Sequence, residues 1–242
     1  MADLFPALLL ETWEHGLPEP GYKRALLLLA LACPDKSDEE CGLLPIGRRD
    51  ACLLSLRERL FGSEMESLAV CPSCGQQLEF SCTVADLYPL PESEGDDLLT
   101  LTRDELVVRF RLPNSLDIMM VVEGEEDIEH ALLECCITEV RQGPNPVSVA
   151  TLDKTVLAAV VEAMEQADSL GNMQLAMTCP ACAHSWLSSF DIVSYLWSEL
   201  DAWAKRILRE VHVLAVTYGW NERDILTMSP RRRHYYLDLV LQ

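Results

Sequence analysis

Two short segments carry the most suggestive chemistry in the chain: Cys71-Pro72-Ser73-Cys74-Gly75 and Cys179-Pro180-Ala181-Cys182-Ala183-His184. Two cysteines separated by two residues can grip one metal ion from a tight turn. The amides of that turn point at the thiolate sulfurs and partly neutralise them. Zinc takes four ligands in a tetrahedron with sulfur at about 2.3 Å, so one pair is half a site and a second pair completes it. A single CxxC is weak evidence. Two copies of the form CPxC, each preceded and followed by strand-like sequence, predict one structural Zn2+ on Cys71, Cys74, Cys179 and Cys182. Four thiolates leave no open coordination position for substrate or water, so the site is structural and not catalytic. Iron also occupies four-thiolate tetrahedra, and zinc is named here from ligand type alone.

The spacing is unusual. A compact zinc ribbon has about 15–20 residues between its pairs, whereas residues 75–178, 104 in number, intervene here. The ribbon is expected to be split by a long insertion that returns the chain to its start, with the metal clasping the N-terminal half to the C-terminal helix. A faint repeat supports two facing knuckles. After each pair come a β-like stretch and an Asp before apolar residues, at Asp86-Leu87-Tyr88 and Asp191-Ile192-Val193.

Three other readings stay open. CPxC also serves thiol-disulfide enzymes, where the first cysteine opens a helix and its pKa falls; here Gly75 and a strand-like run follow instead. Other cysteines could build separate metal sites, but Cys33, Cys41, Cys52, Cys82, Cys135 and Cys136 show no ligand spacing and read as small buried hydrophobes. His184 could replace one cysteine ligand.

The elements that position these cysteines read as mainly α with a small β zinc-ribbon module, an α+β chain. Residues 1–33 look helical and 34–45 read as a polar loop. Residues 47–61 make an amphipathic helix ended by Gly62. Leu68–Val70 and Gln77–Val84 are strand candidates around the first pair. Residues 89–104 read as an acidic connection, 105–112 as a strand stopped by Pro113, and Asn114 or Ser115 as the cap of a helix to about Val122. The segment EGEEDIEHALLECCI suits a helix with an acidic start, QGPNP at 142–146 is a breaker, and 149–168 reads as a further helix. Gln174–Thr178 and Ser185–Phe190 flank the second pair as strands. Asp191 then caps the strongest helix, to about Tyr218, with Val193, Leu196, Trp197, Leu200, Ala204, Ile207, Leu208, Val211 and Ala215 at three- and four-residue spacing. Gly219 ends it, Asn221 with Asp224 caps a short helix, and Ser229-Pro230 starts the last. The expected segments are 1–67 (helical), 68–88 (first knuckle and strand), 89–173 (α/β insertion), 174–190 (second knuckle) and 191–242 (C-terminal helices).

Composition bounds the function. With 39 acidic against 19 basic residues the net charge is −20, which repels phosphate backbones and argues against nucleic-acid binding. Acidic residues precede the apolar run at 25–33, unlike the short basic start of a signal peptide, and no run reaches the roughly 18 apolar residues of a membrane span. The chain reads as cytoplasmic with reduced thiols and no membrane partner. No HExxH, Walker loop, GxGxxG or GxSxG motif is present, and His15, His130, His184, His212 and His234 show no triad pattern. His212, on the long helix, reads as a packed residue. Arg231, Arg232 and Arg233 form the only dense basic patch. They would either pair with the protein's own acidic surface or bind an acidic partner segment. Trp197, Trp203, Tyr218 and Trp220 read as core before interface.

Most of residues 20–242 resembles a known family. The stretch LPIGRRDACLLSLRERLFG, then CPSCG, then RFRLPNSLD looks like its beginning, and the long helix with Tyr-Gly-Trp, Asp-Ile-Leu, Ser-Pro-Arg-Arg and Tyr-Leu looks like its ending. The chain is similar to the T-even-phage type of baseplate hub assembly protein, as found in contractile tails and extracellular contractile injection systems. The resemblance implies a non-enzymatic assembly factor, chaperone or adaptor whose partners are tail proteins such as the hub, spike or tape-measure protein, incorporated or not in a tail-like particle. The family pattern has Gly after the second CPxC; Ala183 stands there in this chain. The competing expectations are a CPxC thiol-disulfide oxidoreductase and a zinc-ribbon accessory protein, of transcription or of another protein partner.

Overall fold

The computed structural model describes residues 6–87, 98–124 and 127–240. Its chain divides into two compact units, Met1–Leu27 with Val193–Gln242, and Leu28–Ile192. The architecture is α+β, mainly helical with small antiparallel sheets.

In the first unit the organising element is α9 (Ile192–Tyr218). Its buried positions Val193, Leu196, Trp197, Leu200, Ala204, Ile207, Val211 and Leu214 form one apolar stripe at helical spacing. Against it lies α1 (Pro6–Gly16), whose Trp13 donates its indole N–H to Asp201 at 3.0 Å. Arg24, in α2 (Gly21–Ala32), sits 4.5 Å over the Trp197 ring and donates to the Gly16 carbonyl. The short α10 (Glu222–Thr227) starts at Asn221, whose side chain accepts from the Asp224 amide, and α11 (Pro230–Val240) begins with proline at its first position.

In the second unit two β-hairpins flank an inserted α/β layer. Hairpin one is β1 (Glu64–Val70) with β2 (Gln77–Thr83), registered from Glu64↔Thr83 to Val70↔Gln77. The helix α4 (Ile46–Phe61) feeds it and ends at Gly62, and the short α5 (Val84–Leu87) leaves it. The insertion holds β3 (Leu99–Arg103), β4 (Leu106–Phe110), β5 (Ile137–Gln142) and β6 (Asn145–Pro146) in the order β3-β4-β5-β6. Its helices are α6 (Ser115–Gly124), α7 (Ile128–Cys136) and α8 (Lys154–Ala167). Val108, Phe110, Leu133, Cys136, Ile137, Val140, Val156, Val160 and Met164 make its core. Hairpin two is β7 (Gln174–Thr178) with β8 (Ser185–Ser189).

Several boundaries differ from the sequence reading for identifiable reasons. The helical start breaks at Leu17-Pro18-Glu19-Pro20, where the prolines interrupt the helical pattern. The expected loop at 34–45 contains α3 (Asp38–Gly42), started by a capping box in which Ser37 and Glu40 bond each other's amides. The acidic connection gives way at its end to β3; its 89–97 portion lies outside the described residues. Strand β5 follows α7 with no breaker between Cys136 and Ile137. The helix expected from 149 begins at Lys154, because Asp153 accepts from the Thr155 and Val156 amides and fixes the start there.

Candidate metal centre

Each CPxC pair occupies the tip of a hairpin, and the two tips are built alike. In the first, the Cys71 amide donates to the Gln76 carbonyl and the Gly75 amide to the Cys71 carbonyl, both at 2.9 Å; in the second, Cys179 donates to His184 and Ala183 to Cys179, again at 2.9 Å. The fifth residue of each tip is left-handed, Gly75 at φ +73° and Ala183 at φ +57°. Ala183 therefore adopts the glycine geometry at a cost of about 1–2 kcal/mol. Leu78 and Trp186, each seven residues after the first cysteine of its knuckle, pack with Cys71 and Cys179 into a small shared core.

The tips bring all four sulfurs within 4.8 Å of one another. Cys71 Sγ lies 3.7 Å from Cys182 Sγ, and Cys74 Sγ lies 3.7 Å from Cys179 Sγ. A tetrahedron with metal–sulfur bonds of 2.3 Å has edges of about 3.8 Å, so these separations fit four ligands on one ion. They are far too long for disulfides, whose sulfurs lie about 2.05 Å apart, and the ten cysteines are free thiols. The first cysteine of each pair is buried at 1% exposure, while Cys74 and Cys182 face solvent. His184 is outside the cluster: its ring stacks on Trp186 at 6.1 Å.

Electrostatics follow from this crowding. Burial opposes ionisation of Cys71, but the amides of Cys74 and Ser73 and the neighbouring Cys182 and Cys74 thiols bring it down to about 7. At Cys74 the Gln76 amide pulls downward, yet Cys182, Cys179 and Cys71 push the thiol up to about 12. Cys71 and Cys74 are thus driven in opposite directions, and a divalent cation among the sulfurs would favour the thiolate form of both.

The remaining thiols behave differently. Burial, with Cys52 beside it, pushes Cys33 up to about 11, and burial pushes Cys136 up to about 12. Cys41 and Cys136 are buried; Cys33, Cys52, Cys82 and Cys135 are half-buried. Among the described residues they join no metal-ligating group of three or more.

The basic triplet is divided. Arg233 is 3% exposed, with Nε 3.1 Å from Glu210 and a bond to the Met228 carbonyl, so it is not displayed for a partner. Arg231 and Arg232 are exposed. Of the aromatic residues expected in the core, Trp197 is buried, Trp203 and Trp220 are half-buried, and Tyr218 is exposed at 36%. His212 is exposed, not packed.

One buried junction was not expected. At the start of α4, the Gly47 amide donates to Asp168 at 2.9 Å, and a Cβ at Gly47 would lie 1.6 Å from that carboxylate. Beside it, Ile46 N–H bonds Pro113 C=O, Pro45 bridges Asn114, and Arg49 pairs with Asp50. Burial raises the Asp50 carboxyl above its ordinary range despite Arg49. Arg111 holds Asp117 in a bidentate pair and donates to the Cys135 carbonyl. The segments PIGRRD and LPNSLD thus meet through buried polar contacts, whose only sequence signal is that polar residues interrupt apolar runs.

These features define a class: an α+β protein with a split, zinc-ribbon-like module in which two CxxC knuckles converge across a long insertion. Residues 18–197 match the family described as T4 bacteriophage base plate protein, and the chain belongs to that family. The match spans both knuckles and the insertion. No curated protein and no solved structure matches the chain. Among the described residues no helix is long and apolar enough to cross a membrane.

Proposed function

We propose that this chain is a non-enzymatic zinc-ribbon protein that acts as an assembly factor or adaptor in the baseplate hub of a phage-tail-like contractile injection system. Cys71, Cys74, Cys179 and Cys182 hold one structural Zn2+, and the partners are tail proteins: hub, spike or tape-measure. The observation that carries the reading is the coincidence of the baseplate-family match with the four-sulfur cluster. The cluster supports a metal role over thiol-disulfide exchange. CPxC redox centres lower the attacking thiol's pKa at a helix N-terminus, whereas both pairs here cap hairpins and face each other. When bound, the metal supplies a cross-link and no chemistry; the chain's own amides neutralise the thiolates, and Leu78 and Trp186 shield the inner two.

The test has two arms. Elemental analysis of the purified chain should give about one zinc per chain with no dithiol turnover; a metal-free chain that reduces disulfides catalytically sinks the structural reading. Co-expression with each tail protein of its own gene cluster should recover a hub, spike or tape-measure protein. Recovery of none removes the assembly role.

A further inference from the structure

The last helix carries two exposed arginines, Arg231 and Arg232. Neither Arg231 nor Arg232 has a carboxylate within ion-pairing distance among the described residues, although the chain holds 39 acidic residues against 19 basic ones. Their neighbour Arg233 has Glu210, and His234 has Asp238 at 3.7 Å.

Beside these arginines lies a braced aromatic surface. The Arg232 guanidinium sits 5.8 Å from the Tyr236 ring centre. Tyr236 meets Trp220 and Tyr218 edge-on at 4.9 and 5.7 Å, and Tyr218 stacks on Trp220 at 4.5 Å with 17° between planes. Tyr235, 66% exposed, and Leu239, 48% exposed, follow Arg232 at helical spacing on α11. Rings that hold one another in place lose little freedom when covered, and tyrosine, tryptophan and arginine dominate binding hot spots.

We propose that this face docks an acidic segment of a partner protein, its carboxylates pairing with Arg231 and Arg232 and its apolar side chains covering Tyr235 and Leu239. The proposal rests on the adaptor reading and names the chemistry of its partner. The surface lies beyond residue 197, outside the residues that match the family, so the match assigns it no role. Charge selects both the orientation and the kind of partner. On a chain of net −20, two adjacent exposed arginines with no ion pair among the described residues offer an acidic segment local attraction. A nucleic acid carries the same charge, but its affinity grows with the number of phosphates neutralised, and two arginines neutralise few of them.

The experiment uses the full chain and three labelled probes: a short peptide of alternating Glu and Leu, the same peptide with Lys for Glu, and an oligo-dT of equal length. The expected result is binding of the Glu–Leu peptide, weakened at least about tenfold by Arg231→Glu with Arg232→Glu and weakened by added salt. Tyr235→Ser, on an exposed side chain, should weaken it without changing the salt dependence. No binding of the Glu–Leu peptide, equal binding of the Lys peptide, tighter binding of oligo-dT, or self-association lost in the arginine variant each overturns the proposal. A parallel co-expression separates the two readings. If a tail protein is recovered equally by wild type and the arginine variant, the adaptor role stands and the docking surface falls. If none is recovered, the adaptor role falls and the peptide arm alone decides the surface.

Discussion

Cys179→Ser should destabilise much more than one turn. Cys74 and Cys179, in sulfur contact, are 105 positions apart, and Cys71 and Cys182 are 111 apart. A metal joining them closes a loop of that length in the unfolded chain. In the chain-entropy picture, a cross-link around ~100 residues contributes about 4.7 kcal/mol. That figure holds when the insertion unfolds together with the hairpins, and the structure favours this. Ile46 bonds Pro113, Gly47 bonds Asp168, and Arg49 reaches Ser115, so the insertion is tied to α4 by buried contacts. Domains of this size hold only about 5–15 kcal/mol in total. At roughly 2–4 °C per kcal/mol for a chain of this length, the variant should melt about 10–20 °C below wild type. Calorimetry and elemental analysis on the same samples give both readouts, with Cys135→Ser as the control that keeps metal and midpoint. Hydrogen exchange adds a third: the Cys71 amide, bonded to Gln76 within the tip of the first hairpin, should lose protection in the Cys179 variant although the substitution lies in the second hairpin. A variant that keeps full metal and full stability refutes the reasoning. So does one that loses the metal while its midpoint shifts by less than about 2 °C.

Three further perturbations follow from single residues. Ala183→Gly removes a left-handed alanine (φ +57°) and should stabilise by about 1 kcal/mol, read as a higher melting midpoint with unchanged metal content. Gly47→Ala places a Cβ 1.6 Å from Asp168 and displaces a buried hydrogen bond; a loss of about 3 kcal/mol is expected by denaturant titration, and an unchanged midpoint would show that α4 starts differently. Asp153 caps α8, and its bonds from the Thr155 hydroxyl and the Val156 amide hold its carboxyl below the ordinary range. A depressed carboxylate stabilises above its unfolded pKa of about 3.9 and loses that effect as pH falls through the folded value. Asp153→Ala should therefore lower the melting midpoint at pH 7 and converge on wild type in strong acid; parallel curves at every pH would contradict the assignment.

What was legible in the sequence had local causes. The CPxC spacing marks the tips, alternation marks the strands on either side, and Asn114 and Asn221 start helices through their own side chains. The strand at 137–142 was hidden because nothing between Cys136 and Ile137 breaks a helix; only pairing with β4, from Phe110↔Ile137 to Leu106↔Gln142, makes that segment extended. The helix at 38–42 was readable from Ser37 and Glu40, but the acidic, polar run around them reads equally as a loop. The Gly47–Asp168 junction joins residues 121 positions apart, and no window on the sequence contains both. Arg231 to Arg233 are identical in type, and only the direction in which α11 faces Glu210 separates the buried one from the exposed two.

A metal clasp would also account for how little apolar material surrounds the four cysteines. A two-stranded hairpin is marginal by itself, and among the described residues each knuckle hairpin is a two-stranded sheet. The shared core between them is Leu78, Trp186 and the two inner cysteines, too small to hold two hairpins against the entropy of the long connection. By contrast the insertion has, among its described residues, a core of its own built on Val108, Phe110, Val140 and Val160. Metal–thiolate bonding would take the place that hydrophobic burial has in the insertion, and apparent binding energies near 10–16 kcal/mol for structural zinc would be ample for that. Cys71 falls to about 7 while Cys74 rises to about 12, so these two neighbouring thiols do not ionise together by themselves. A bound cation would stabilise both as thiolates, so the side chains that fasten the hairpins would do so only through the ion they share.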